Sequence, residues 1–189
     1  LRSWQTSLDR SLEHLRIQQL DGLLLHSSKD LARPDSNLLL DWLLKLQDQG
    51  KVKRLGVSIY HSEELTYLPL NHIQIIQIPF SLYNQSLLID GTAEYLYNKD
   101  INIHARSIFL QGLLVSPSDL WPPFISPSLK NHHKGLELYS SDLGRSLVEL
   151  ALGFARHQEW LEAAVIGITS LNQLSQLTSA WNSSDPWYN

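Results

Sequence analysis

Apolar and polar positions in this chain follow two periods, and the periods take turns. Over residues 3–17, Trp4, Leu8, Leu12 and Leu15 fall on one helical stripe, with Asp9, Arg10 and Glu13 off it, which predicts a helix. Gly22-Leu23-Leu24-Leu25 is then an unbroken apolar run between Asp21 and His26, the pattern of a strand over 22–26 buried on both faces in a parallel sheet. The polar stretch Ser27 to Asp35 holds Pro34 and reads as a loop. Asp35 or Ser36 can cap a second helix through Leu39, Trp42, Leu43 and Leu46, with Gly50 as its stop.

The alternation continues to the end of the chain. Leu55-Gly56-Val57-Ser58 predicts a strand, and Ser62 with Glu63 and Glu64 predicts the capped start of a short helix. Ile73 to Ile78 is β-branched and strand-like, closed by Pro79. Residues 86–99 read as a helix and residues 101–106 as a shorter strand. Pro117, Pro122, Pro123 and Pro127 exclude a continuous helix, so residues 107–135 read as a long rim loop or lid. Leu143, Leu147, Leu150, Ala151 and Phe154 make one face of a helix over 143–157. Ala164 to Ile168 predicts a last strand, Ser170 the cap of a last helix through Leu171, Leu174, Leu177 and Trp181, and residues 183–189 a frayed tail.

Strands that alternate with helices form parallel βαβ units, and right-handed crossovers wind them in one direction. The expected class is therefore α/β with about five parallel strands in one domain over residues 1–189. Periodicity alone leaves an open sheet and part of a closed barrel equally available. No G-x-G-x-x-G or G-x-x-x-x-G-K-[ST] phosphate loop occurs, which argues against a Rossmann or P-loop enzyme.

Composition narrows this little. A net charge of −4 gives no electrostatic footprint for nucleic acid. The absence of cysteine excludes disulfides and thiolate chemistry. No run of apolar residues is long enough for a membrane span, so a soluble, cytoplasmic protein is expected. The chain begins Leu1-Arg2-Ser3 and has no methionine, the pattern of a fragment or of a processed or redesigned chain.

The chemistry gathers at the strand ends: His26, Ser58, Gln77, Arg106-Ser107 and Gly167 to Ser170. In parallel barrels the C-terminal ends of the strands form the reactive rim. These residues describe a pocket that is polar and lightly charged. His61, His104 and the pair His132-His133 add imidazoles. None has metal-site spacing beside a carboxylate, so no metal is expected, and His132-His133 reads as solvated. Trp121 and Phe124 are candidates for an apolar substrate wall.

Six stretches also carry a resemblance. They are Ser7 to Leu15, Asp21 to Ser27, Gly50 to Ser58, Ile76 to Phe80, Ala105 to Leu114 and Val165 to Gly167. In this order and at this spacing the chain resembles the C-terminal two thirds of an aldo-keto reductase. The resemblance implies part of a TIM-type (β/α)8 barrel that carries NADP or NAD across its C-terminal rim, and hydride transfer to a small carbonyl substrate. It makes His26 the catalytic histidine, which donates a hydrogen bond where charge builds on the carbonyl oxygen. It makes Ser58 and Gln77 the holders of the nicotinamide carboxamide, although Ile59 stands where relatives have Asn. Arg106, Ser107 and Phe109 match the segment around nicotinamide and pyrophosphate. Gly167, Thr169 and Gln173 match the adenosine end, where the Lys or Arg that meets the 2′-phosphate is missing. NAD is therefore as plausible as NADP.

The family's aspartate, tyrosine and lysine match nothing here, and three strands of a full barrel are unaccounted for. Two readings follow. One is a carbonyl reductase of which this is a part. The other is an inactive nucleotide-binding pseudoenzyme or scaffold. Exposed sheet edges further predict self-association.

Overall fold

The computed structural model describes residues 2–183 and divides into two compact units. Unit 1 comprises residues 1–78 and 87–104, and unit 2 comprises residues 79–86 and 105–189. Five strands alternate with helices and lie in the order β1-β2-β3-β4-β5. They are β1 (Leu20–Leu25), β2 (Val52–Ser58), β3 (Ile75–Pro79), β4 (Asn102–Arg106) and β5 (Leu161–Ala164). The helices are α1 (Arg2–Leu15), α2 (Ser36–Asp48), α3 (Ser86–Ile89), α4 (Thr92–Tyr97), α5 (Pro127–Asp142), α6 (Leu147–Arg156) and α7 (Leu171–Ser183). The tail expected to fray, from residue 184 on, lies outside the described residues.

In unit 1, β1 pairs parallel to β2 with Leu23 opposite Leu55, and β2 pairs parallel to β3 with Ser58 opposite Gln77. Leu55, Val57, Ile76 and Ile78 are fully buried, and α2 packs its Leu39, Leu43 and Leu46 inward. Gly56 is required by close approach: a Cβ there would stand 2.6 Å from the Ile75 carbonyl oxygen. Gly50 ends α2 in the left-handed region at φ +67°, as its position in the sequence predicted. β1 departs from expectation. Its leucines are only half-buried, because an outer strand has a neighbour on one side alone. The α1 stripe is likewise partly bare, with Leu8 buried and Leu15 exposed.

Two further boundaries in unit 1 move. The 62–67 segment is a 3-10 turn capped by His61, not by Ser62, because the Glu64 carboxylate takes the Tyr60 and His61 N–H groups. The helix expected over 86–99 is two helices, interrupted at Gly91 in the left-handed region. Asp90 caps the second by accepting the Thr92 N–H.

Unit 2 is built on α6, whose residues Leu150 to Ala155 are all buried. Phe80 stacks on Phe154 at 5.1 Å between centroids and meets the edge of Trp160 at 4.9 Å. The helix begins at Leu147, four residues later than expected. Ser146 and Glu149 form a reciprocal cap there, and Leu143 belongs to the end of α5. Residues 127–135 are not loop. Pro127 stands at the first position of α5, where a missing N–H costs nothing, and the Ser126 hydroxyl accepts the Leu129 N–H. β5 lies at Leu161–Ala164, before the apolar run expected to form it. Of that run, Val165 donates its N–H to the Ala105 carbonyl.

Candidate functional site

The predicted site residues fall in both units. In unit 1, Ser58 and Gln77 are cross-strand neighbours, and the buried Ser58 hydroxyl points at the Gln77 carbonyl at 3.5 Å. Ile59, the departure from the family's pattern, is fully buried. His26 follows the last residue of β1, is exposed, and makes no hydrogen bond among the described residues.

Downstream of His26 the chain is pinned. Ser28 is buried, and its hydroxyl donates to Glu64 and lies 3.0 Å from the Tyr67 hydroxyl. The other Glu64 oxygen accepts N–H groups from Tyr60 at 2.6 Å and His61 at 2.9 Å. Burial raises the pKa of Glu64. The bonds from Ser28, Tyr60 and His61 outweigh that effect and hold the carboxyl below its ordinary value.

In unit 2 a cavity of about 960 Å³ gathers four of the six remaining residues: Ser107, Phe109, Gly167 and Gln173. Arg106, the last residue of β4, is half-buried and does not line it. Thr169 is exposed and does not line it. Its N–H and hydroxyl both donate to the Gln173 side-chain oxygen, at 2.8 and 2.9 Å, and so orient that amide. Ser170 accepts the Gln173 N–H at 3.2 Å, which is the predicted cap of α7.

The loop after β4 is locally strained. Ser107, Leu110 and Gln111 are non-glycine residues at φ +63°, +48° and +57°, followed by Gly112 at +92°. Each such residue costs roughly 1–2 kcal/mol, and such residues cluster at ligand-binding positions. Within the loop, Leu110 donates its N–H to the Ser107 carbonyl and Gly112 to the Phe109 carbonyl.

The cavity fits a nucleotide of moderate charge. Its volume suits a cofactor, since such sites occupy roughly 300–1,000 Å³. Its polar lining consists of hydroxyls, amides and the first turn of α6, whose positive end is already met by the Glu149 carboxylate of its own cap. Among the described residues no lining side chain is cationic, and Glu149 is the ionised one. Hydrogen bonds from the Ser146 N–H and hydroxyl hold Glu149 below its ordinary pKa. A second phosphate cluster on the ligand would find no partner there. Ser146, Glu149 and Gln111 escaped sequence reasoning. The Ser146-x-x-Glu149 spacing was the signal for the first two.

Two expectations at the rim are overturned. His133 is fully buried rather than solvated: Tyr83 hydroxyl to Nδ1 is 2.7 Å, and Nε2 to the Ser116 carbonyl is 3.0 Å. A carbonyl only accepts, so Nε2 carries the proton, and in a neutral ring Nδ1 accepts from Tyr83. Trp121 is no substrate wall. It is buried, packs on His133 at 4.3 Å, and donates its Nε1–H to the Leu113 carbonyl, while Phe124 is exposed. Among the described residues no His, Cys, Asp and Glu cluster is able to hold a metal ion, and no helix is long and apolar enough to cross a membrane.

Comparison with known proteins adds the following. The sequence model of the aldo/keto reductase family matches residues 2–185. The aldo-keto reductase of Bacillus halodurans in its holo form superposes with a TM-score of 0.77 at 19% identity, covering 97% of this chain and 62% of that one. The thermostable aldo-keto reductase Tm1743, solved with the inhibitor epalrestat, gives 0.68 at 16% identity, covering 95% and 60%. The chain thus spans about three fifths of the length of these structures. No curated protein matches it.

Proposed function

We propose that this chain, which belongs to the aldo/keto reductase family, supplies the dinucleotide cavity and the histidine of an NAD(P)-dependent oxidoreductase that converts a small aldehyde, ketone or sugar-derived carbonyl to the alcohol. One observation carries the reading: Ser107, Phe109, Gly167 and Gln173, far apart in sequence, line a single cavity. When bound, the reduced nicotinamide supplies a hydride to the carbonyl carbon. His26 donates a hydrogen bond to the carbonyl oxygen as negative charge builds there. Ser58 and Gln77 orient the carboxamide, Arg106 and Ser107 the pyrophosphate side, and Gln173, fixed by Thr169, the adenosine end. The proton that completes the alcohol comes from the family's tyrosine, which matches no residue of this sequence. The reading therefore makes this chain part of a longer, cytoplasmic enzyme. Self-association through the outer edge of β1 is part of the same reading.

The lining charge sets the cofactor preference. With no cation for a 2′-phosphate, NADH and NADPH should bind within a factor of a hundred of each other. Titration of tryptophan fluorescence checks this, and NADPH binding a hundredfold tighter than NADH refutes it. Gln173→Ala should weaken both nucleotides, because it removes a lining amide. If nucleotides bind but a panel of aldehydes is never reduced, even with the upstream coding sequence present, the pseudoenzyme reading replaces this one. The missing tyrosine motif is what favours that alternative.

A further inference from the structure

His26 has nothing to hold its ring. The imidazole is exposed and makes no hydrogen bond among the described residues, so the backbone on either side must set its place. Upstream, Leu25 is paired in β1 opposite Val57. Downstream, the first fixed point is Ser28, which is 1% exposed. Ser28 has one proton, and Glu64 can only accept, so that proton goes to the carboxylate. The 3.0 Å contact between Ser28 and Tyr67 then has Tyr67 as donor. Tyr67, Ser28 and Glu64 form a polarised chain that ends on a charge, the arrangement in which each bond strengthens the next.

The Glu64 end is anchored as well. The same carboxylate takes the N–H groups of Tyr60 and His61, directly after Ser58 and Ile59. A hydroxyl bond from Ser62 to Asp90 ties the turn to the cap of α4. The segment after β1 is thereby clasped to the segment after β2.

We propose that Ser28 and Glu64 are positioning residues that fix His26 through the backbone, with Tyr67 polarising the clasp. The consequence for turnover rests on the assignment of His26 above, while the clasp itself does not. A misplaced reacting group is costly even when the shift is small, because orientation supplies much of the rate.

The test uses the full chain with Ser28→Ala, Glu64→Gln, Tyr67→Phe and the Ser28→Ala/Glu64→Gln double variant. The reporter is the His26 ring resonance, assigned from a His26→Gln variant. Both single variants at the Ser28–Glu64 bond should shift and broaden it, the double variant should do no more than the worse single, and Tyr67→Phe should do less. Where turnover is measurable, kcat should fall about tenfold, with KM within about twofold. Ring signals that move while the turnover of an enzyme that also carries the family's tyrosine stays unchanged uphold the clasp and defeat the assignment of His26. Ring signals unmoved by Glu64→Gln and Ser28→Ala in folded protein overturn the clasp whatever the activity. If Ser28→Ala does not fold, Glu64→Gln and Tyr67→Phe decide the question by the same readout.

Discussion

Each unit fastens a segment beyond a strand end with a hydrogen-bonded chain that starts at a tyrosine, and the two chains end on opposite kinds of acceptor. In unit 1, Tyr67 donates to Ser28 and Ser28 to the Glu64 carboxylate. In unit 2, Tyr83 donates to His133 and His133 to the Ser116 carbonyl. The difference follows burial. His133 is fully enclosed, and an ion buried there would cost several kcal/mol, so the chain runs through neutral groups only. Glu137 stands 3.8 Å from His133 but spends its carboxylate on the Ser118 N–H at 2.6 Å. Glu64 is half-buried at the rim, where a carboxylate keeps part of its hydration and makes stronger, charge-assisted bonds. One clasp is thus built for packing and the other for polarity, and substitutions should separate them.

The largest effect is expected at His133. His133→Ala removes a fully buried ring, opens space beside Trp121, leaves the Tyr83 hydroxyl unpaired, and leaves the Ser116 carbonyl with the Trp121 Nε1–H at 3.2 Å alone. The loss should be about 3 kcal/mol or more, read from the midpoint of denaturant unfolding. Ser28→Ala should cost about 1–2 kcal/mol by the same measurement, since it deletes one bond and little volume. Equal losses at the two positions would erase the contrast drawn here.

Tyr83→Phe comes next, at about 1–2 kcal/mol near neutral pH. Burial first, and then the charge of Glu137, push the Tyr83 pKa up from 10.0 to about 12. The folded state therefore holds this proton more tightly than the unfolded chain does. The associated stability is fully present below pH 10 and is lost as pH rises through about 12. An absorbance titration of the phenols should show one late-titrating group, and Tyr83→Phe should remove it. A wild-type titration in which every phenol ionises near pH 10 would place Tyr83 outside the buried chain.

The two clasps also differ in how far the sequence reveals them. The alternation of apolar runs with helical stripes is local, and it predicts the succession of strands and helices and the neighbouring ends Ser58 and Gln77. His26 is legible for the same reason, as the polar residue closing an apolar run. His133 is not, because its partner Tyr83 lies 50 residues away and no local period records that approach. The proline run hid α5 in the same way. A Pro reads as a breaker unless the Ser before it is read as a cap, and Ser126-Pro127 is the start signal of the helix. At β5 the apolar run outlasts the paired strand, so composition placed it beyond Leu161–Ala164. Within the unit 2 cavity, Ser107 and Gly167 follow from motif positions, whereas Glu149 arrives through the fold of α6.

The smallest effect sharpens the comparison most, because it gives the clasps opposite pH limbs. Glu64 has its pKa raised by burial and lowered further by Ser28, Tyr60 and His61, for a net depression. A carboxyl with a depressed folded pKa contributes stability that is present above its unfolded value. That stability is lost as pH falls through the folded one. The clasp of unit 1 should therefore weaken in acid and that of unit 2 in alkali. Asp21, Asp90 and Glu149 are depressed as well, so the wild-type acid limb is a sum. The difference between wild type and Glu64→Gln isolates one member of it. Because Glu64 is partly hydrated, that difference should be about 1 kcal/mol or less. Denaturant unfolding at neutral pH and in mild acid should show the gap between the two proteins closing as pH falls, while their alkaline limbs stay superimposed. A gap that persists unchanged into acid would mean that the Tyr67–Ser28–Glu64 chain does not end on a charge, and the contrast with the neutral chain through His133 would collapse.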